Sequence, residues 1–366
     1  LAAFSQASMI HVRNAATHAL DAERFNEAFM MHTTTSPHYG VIAACDVASK
    51  MMEGAAGESL VQEMHDEAIA FRRAMLHVRE DLGRDDWWFS VWQPDKLERS
   101  LAKGDAPAPM VAKRSEWYLQ PDAHWHGFDG LVDDYVLIDP IKVTLLTPGL
   151  SMDGEMGQRG IPAAVLSKFL WTRGITVEKT NLYSVLFLFS MGITKGKWST
   201  LVTELMAFKE LYDSNAPLTR ALPQLAAEFP IAYAGWGLRD LCDALHAFND
   251  EFGVAQVMRA MYVDLPEPVM TPAEAYDHLV RGQIERVDIE QISGRIAGTM
   301  LVPYPPGIPT IMPGERFGSS DEPIIQSLRI AREQNARFPG FESDVHGLII
   351  DTDGDAPSYK VEVLKV

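Results

Sequence analysis

The chain has 366 residues, enough for two or three domains with sizeable cores. A hydrophobic fraction of 47% with 22% charged residues is that of a soluble globular protein, and the longest apolar runs, such as Val185–Phe189, are far too short to span a bilayer. The formal charge of −18 argues against a nucleic-acid partner and fits solubility first, with attraction of small cations at long range second.

In chain order, Asp21 to Met31 reads as a short helix ending at a Thr/Ser turn. Val41, Ile42, Cys45, Ala48 and Met52 then mark a helix from Tyr39 to Glu53, closed by Gly54. A longer amphipathic helix follows, with Leu60, Met64, Ala68, Phe71, Met75, Val78 and Leu82 on one face and Glu63, Asp66, Glu67, Arg72 and Arg73 on the other. Trp87 to Trp92 has the aromatic content of a strand, and Lys96 to Pro121 reads as a polar surface excursion. Tyr135–Ile138 and Ile141–Leu146 are predicted strands around Asp139-Pro140. Pro162 opens a helix that Gly174 closes, and strands Ile175–Glu178 and Tyr183–Phe189 precede a helix from Lys197 to Asp213.

Past Asn215, Leu238, Leu241, Leu245, Phe248 and Phe252 mark another helix. Thr271-Pro272-Ala273-Glu274 is a capping box, a specific start signal. The proline run Pro303 to Pro309 is incompatible with helix or central strand, and the tail reads as a hairpin turning at Asp353-Gly354. Cys45 and Cys242 cannot build a disulfide framework; both are expected as buried thiols in a reducing compartment.

Chemistry is sparse along this pattern. His124-Trp125-His126 lacks the further ligands of a zinc site, and Gly192-Ile193-Thr194-Lys195-Gly196-Lys197 fails as a P-loop because its spacing is one short and Trp198 follows. Asp351–Asp355 lacks the spacing and terminal glutamate of a calcium loop. The stretch Met30-Met31-His32-Thr33-Thr34-Thr35-Ser36-Pro37-His38-Tyr39-Gly40 is more informative. By composition alone it is an ordinary Ser/Thr N-cap, yet its hydroxyls and amides beside a helix start also suit an anionic group.

With the opening Leu1-Ala2-Ala3-Phe4-Ser5-Gln6-Ala7-Ser8-Met9-Ile10-His11-Val12, this block resembles the bacterial ornithine/lysine/arginine decarboxylases. The fold implied is mixed α/β and α+β: the C-terminal part of an aspartate aminotransferase-like (fold type I) pyridoxal-phosphate enzyme, plus a C-terminal α+β domain. The resemblance divides the chain into 1–53, the end of the cofactor-binding domain, 54–216, a small α+β domain, and 217–366, a C-terminal α+β domain. It places the Schiff-base lysine just upstream of Leu1, so no catalytic residue is expected within the chain, which reads as the C-terminal part of a longer enzyme.

The same resemblance assigns Thr34 and Ser36 to the phosphate of pyridoxal 5'-phosphate, reached across a homodimer interface with shared active sites. It assigns Glu178 to the distal ammonium of the substrate, since a carboxylate pairs with a primary ammonium. Without the resemblance Glu178 would read as a solvated strand-end acid paired with Lys179. The activity implied is decarboxylation of a basic amino acid, with lysine to cadaverine first and ornithine or arginine as alternatives. Lysine and ornithine differ by one methylene, worth only about 0.8 kcal/mol of burial. A cytoplasmic location is implied, with no membrane or nucleic-acid partner, and some members stack five dimers into a decamer. A reading of another class is a non-catalytic assembly or regulatory partner lacking the cofactor lysine.

Overall fold

Helix starts in the computed structural model follow local sequence chemistry closely. It describes residues 10, 12–14, 19–34, 36–83, 89–94, 97–98, 114–304, 307–342, 344–352 and 357–365. The chain separates into two units, residues 1–66 and 67–366. In the first, α1 (Ala22–His32) begins where the Asp21 carboxylate accepts the Arg24 amide at 2.9 Å. Next come α2 (Tyr39–Met51) and the first turns of α3 (Gly54–Leu82). Ala44 is the single buried residue of α1 and α2, and Met31, Tyr39, Ile42 and Val47 are exposed. Cys45, expected to be buried, is half-exposed for the same reason: little apolar surface packs on α2 within this unit.

The second unit is built on a four-stranded antiparallel sheet. It joins β1 (Ser90–Val91), β2 (Lys142–Leu146), β3 (Lys179–Thr180) and β4 (Ser184–Leu188) in the order β1-β2-β4-β3. The register from Lys142↔Leu188 to Leu146↔Ser184 puts Val143, Leu145, Val185 and Phe187 in the core, as the period-two alternation of strands requires. Ala68, Phe71 and Met75 of α3 join that core. So do Val165, Leu166 and Phe169 of α4 (Ala163–Thr172), and Leu201, Leu205 and Phe208 of α5 (Lys195–Asp213).

Short helices α6 (Leu218–Ala221) and α7 (Pro223–Glu228) lead to α8 (Leu238–Glu251) and α9 (Val254–Ala260). The predicted stripe Leu238, Leu241, Leu245 and Phe248 is buried in the same core, which therefore runs past residue 216. A second core lies farther along the chain. After β5 (Glu267–Pro268), α10 (Pro272–Val280) starts at the expected capping box: the Thr271 hydroxyl accepts the Glu274 amide, and the Glu274 carboxylate accepts the Thr271 amide.

Then follow β6 (Ile284–Asp288), β7 (Val302–Tyr304), β8 (Glu315–Arg316), α11 (Pro323–Arg337), β9 (Asp344–His346), β10 (Ile349–Asp351) and β11 (Ser358–Leu364). The sheet β10-β11-β6 packs Val287, Val361 and Val363 against Ile324, Ile325 and Leu328 of α11. The tail hairpin is present as β10–β11; its expected turn at Asp353-Gly354 lies outside the described residues.

Four further expectations need correction. Tyr135–Ile138 is no strand, only an isolated bridge between Leu137 and Tyr118, because Asp139 accepts the Ile141 amide at 3.2 Å and turns the chain there. Ile175–Glu178 forms no strand, with a bend at Glu178; β3 starts one residue later. The expected excursion from Lys96 to Pro121 contributes Leu97, Trp117 and Leu119 to a small core with Ile69 and Ile138, while 96 and 99–113 lie outside the described residues. Arg72, placed by its charge on the solvent face of α3, is fully buried.

Candidate functional site

The Thr/Ser turn between α1 and α2 folds on itself. Thr34 Oγ1 accepts the Ser36 amide at 3.1 Å, and both residues are exposed; Thr35 lies outside the described residues. At the start of α2 the N-cap residue His38 supplies no side-chain cap, and the first turn carries no acidic residue. The Val41 and Ile42 amides of that first turn both donate to the His38 carbonyl, at 3.0 and 3.1 Å.

Glu178 enters β3 at the edge of the four-stranded sheet. Its amide donates to the Leu186 carbonyl at 2.8 Å, next to the Lys179↔Leu186 pair of the β3–β4 hairpin. The backbone is thus fixed by the sheet, while the carboxylate is exposed and makes no hydrogen bond or ion pair with a described residue. In particular it forms no ion pair with Lys179.

A polar network missed at the level of sequence braces the same hairpin. The buried Tyr183 hydroxyl lies 2.6 Å from His246 Nδ1 and accepts from Asn249 Nδ2 at 3.2 Å. His246 Nε2 lies 2.8 Å from the Gly157 carbonyl oxygen. A carbonyl can only accept, so Nε2 carries the proton, Nδ1 is the acceptor and the tyrosine donates. This chain of bonds ties α8 to β4 and to the loop 148–161, which closes on itself through Gly157 N–H to the Gly149 carbonyl (2.9 Å) and Ile161 N–H to the Pro148 carbonyl (2.8 Å).

Burial pushes the Tyr183 hydroxyl up to about 12, against the lowering pull of its bond from Asn249. With the folded value above the unfolded value of 10.0, the contribution is complete below pH 10 and lost as pH rises toward 12. Thermal unfolding followed from pH 9 to 12 should therefore show a loss of stability across that window that is smaller in Tyr183→Phe.

Two glycines make room for this network. A Cβ on Gly160 would sit 2.1 Å from His246 Nδ1, and one on Gly149 would sit 2.6 Å from the Gly160 Cα, with Gly149 itself at φ +126°. Gly160→Ala should cost about 2–4 kcal/mol, overpacking plus a broken hydrogen bond, as read by urea unfolding. A cost below 1 kcal/mol would show that the loop yields freely. The signal available in the sequence was this pair of glycines facing a histidine on an apolar helix face, which no periodicity argument connects.

Arg72 performs a comparable bracing role. Its guanidinium donates to Gln93 Oε1, the Pro140 carbonyl and the Lys142 carbonyl, each at 3.2 Å, and lies 5.3 Å from the centroid of the Trp117 ring. Burial lowers its pKa to about 9, with Asp139 opposing, so it is still charged at neutral pH. The two nitrogens of His126 are committed to the Gln120 carbonyl (2.9 Å) and the Phe128 amide (3.0 Å), which is the structural role expected for that motif. No group of three acids, histidines or cysteines that could hold a metal occurs among the described residues.

The description "Orn/Lys/Arg decarboxylase, major domain" matches residues 1–197, and "Orn/Lys/Arg decarboxylase, C-terminal domain" matches residues 255–365. The chain belongs to the Orn/Lys/Arg decarboxylase family. It is 57% identical over 365 residues to lysine decarboxylase LdcA of Pseudomonas aeruginosa, covering 100% of this chain and 47% of that protein. It is 41% identical to the biodegradative arginine decarboxylase of Escherichia coli, covering 96% of this chain and 47% of the relative.

The solved structure of lysine decarboxylase A from Pseudomonas aeruginosa superposes with a TM-score of 0.91 at 56% identity, over 99% of this chain and 47% of the other. The chain thus spans about half the length of the relatives it matches. The expected family and fold class are both borne out.

Proposed function

We propose that the chain serves the pyridoxal-phosphate-dependent decarboxylation of L-lysine to cadaverine and carbon dioxide. The observation that carries the choice of substrate is the 57% identity to one lysine decarboxylase; an arginine decarboxylase stands at 41%, level with other lysine decarboxylases at 40–42%, and ornithine decarboxylases stand at 31–34%. Support for the cofactor comes from the turn before α2, where Thr34 and Ser36 offer hydroxyls to a phosphate and the first helical turn carries no acidic residue. When bound, pyridoxal phosphate supplies an electron sink for the pair left behind as carbon dioxide departs.

This chain's own contributions are binding and orientation. Thr34 and Ser36 anchor the phosphate, and Glu178 accepts hydrogen bonds from the distal ammonium of the substrate. The sheet bond at its amide fixes where the acid stands, so that the ammonium is gripped at a set distance from the far end of the substrate. The hydroxyl–imidazole network behind the hairpin holds that position rigid.

In the proposed enzyme, residues 1–53, 54–216 and 217–366 are the end of the cofactor domain, a small domain and a C-terminal domain, the last two sharing the core that runs past residue 216. Its working form is a cytoplasmic homodimer with shared active sites, the unit that some members of the family stack by fives. The exposed apolar side chains Met31, Tyr39, Ile42 and Val47 support coverage by protein beyond residues 1–66. No helix among the described residues is long and apolar enough to cross a membrane. A side-by-side assay of the complete enzyme on lysine, ornithine and arginine, with released carbon dioxide as the readout, tests the reading. Lysine should give the highest kcat/KM; a higher value for ornithine or arginine, or no release from any of them, would overturn it.

A further inference from the structure

Within the second unit, a cavity of about 410 Å³ opens between α4, the α8–α9 pair, α11 and the β7–β9 ribbon. It is far from empty of chemistry. Its body is apolar, formed by Val257, Met258, Met261, Leu328 and Ile330, with Phe341 as an aromatic wall. Lys168 also lines it, half-buried, with its ammonium 5.3 Å from the centroid of the Phe341 ring.

No carboxylate pairs with Lys168 among the described residues, although the sequence carries 50 acidic residues against 32 Lys and Arg. Beside it, the hydroxyls of Ser167 and Thr180 lie 2.6 Å apart and line the same cavity. Two hydroxyls sharing one bond leave one O–H free to donate. The two acids at the cavity, Glu342 and Asp344, are both exposed, and Glu342 is occupied by the Gly340 amide at 2.7 Å. The interior charge is therefore positive and the rim charges are solvated. An apolar chamber of this volume with one cation and a hydroxyl donor has the make-up of a small-molecule site.

We propose that this cavity binds an amphipathic organic anion, an aryl or alkyl group bearing one carboxylate, sulfonate or phosphate. Its apolar body rests on Met258, Met261 and Leu328, and its head pairs with Lys168 and the free hydroxyl of the Ser167–Thr180 pair. Glu178 does not line the cavity, and a lone interior cation repels the ammonium of a basic amino acid, so the cavity takes a ligand other than the substrate of the proposed reaction.

The test is isothermal titration of the full chain with naphthalene-2-sulfonate as the anionic probe, 2-naphthol as its neutral counterpart and 2-naphthylmethylamine as its cationic one. One saturable sulfonate site per chain is expected. Lys168→Gln should weaken sulfonate binding about tenfold or more while leaving 2-naphthol unchanged, and Lys168→Arg should restore it. Ala331→Phe, which fills the cavity from α11, should abolish both, with its thermal unfolding checked alongside. Absence of a saturable sulfonate site, equal sulfonate affinity in Lys168→Gln and the parent chain, or tighter binding of the amine than the sulfonate would each overturn the proposal. The result is independent of the decarboxylase assay.

Discussion

Glu178→Gln in the complete enzyme should raise KM for lysine about ten- to hundredfold and leave the fold untouched. The size follows from a charge-assisted hydrogen bond of roughly 1.5–3 kcal/mol, which the amide keeps in shape but not in charge. The absence of a stability cost follows from the site itself. The carboxylate is exposed and makes no bond to a described residue, and the backbone bond from its amide to Leu186 is indifferent to the side chain. Steady-state kinetics paired with thermal unfolding separates the two effects. An unchanged KM would remove Glu178 from substrate binding, and a large drop in unfolding temperature would recast it as structural.

The largest effect on stability is expected from Arg72→Met. Methionine fills much of the same volume but donates nothing, so the buried Gln93 Oε1 and the part-buried carbonyls of Pro140 and Lys142 would each lose a partner. With about 1–3 kcal/mol for each buried polar group left unpaired, and some relaxation, a loss of about 3–5 kcal/mol is expected. Chemical unfolding should show it as a shift of midpoint with an unchanged slope. A loss under 1 kcal/mol would mean that the guanidinium is dispensable and that Trp117 and its neighbours close over the gap. Arg72 joins α3 to β2 and to the turn before it, so the variant probes how the four-stranded sheet is anchored.

Helix positions were legible because they depend on neighbours three and four residues apart. The stripe of α8, the capping box of α10 and the glycine-ended helix α4 all appear close to where periodicity and end signals put them. Strands were less legible, since pairing needs a partner chosen by the fold: Tyr135–Ile138 has strand composition but meets only a one-residue bridge. Arg72 defies its charge because charge is a guide to exposure only when nothing inside can receive the donors, and two backbone carbonyls brought from about seventy residues away do so here.

The sequence by itself settled kinship, the approximate helices, the acidic surface and the residue types at the proposed phosphate and ammonium contacts. These rest on local chemistry and on long matching blocks, which survive without knowledge of distance. Tertiary structure decided what residue spacing cannot encode. His246 meets Tyr183 across 63 residues, two glycines are kept free of Cβ atoms by that meeting, and Lys168 is left without a carboxylate at the wall of a cavity drawn from five separate stretches of chain. The physical reason is that such contacts are selected by packing and by satisfaction of buried polar groups, and both are properties of the folded whole.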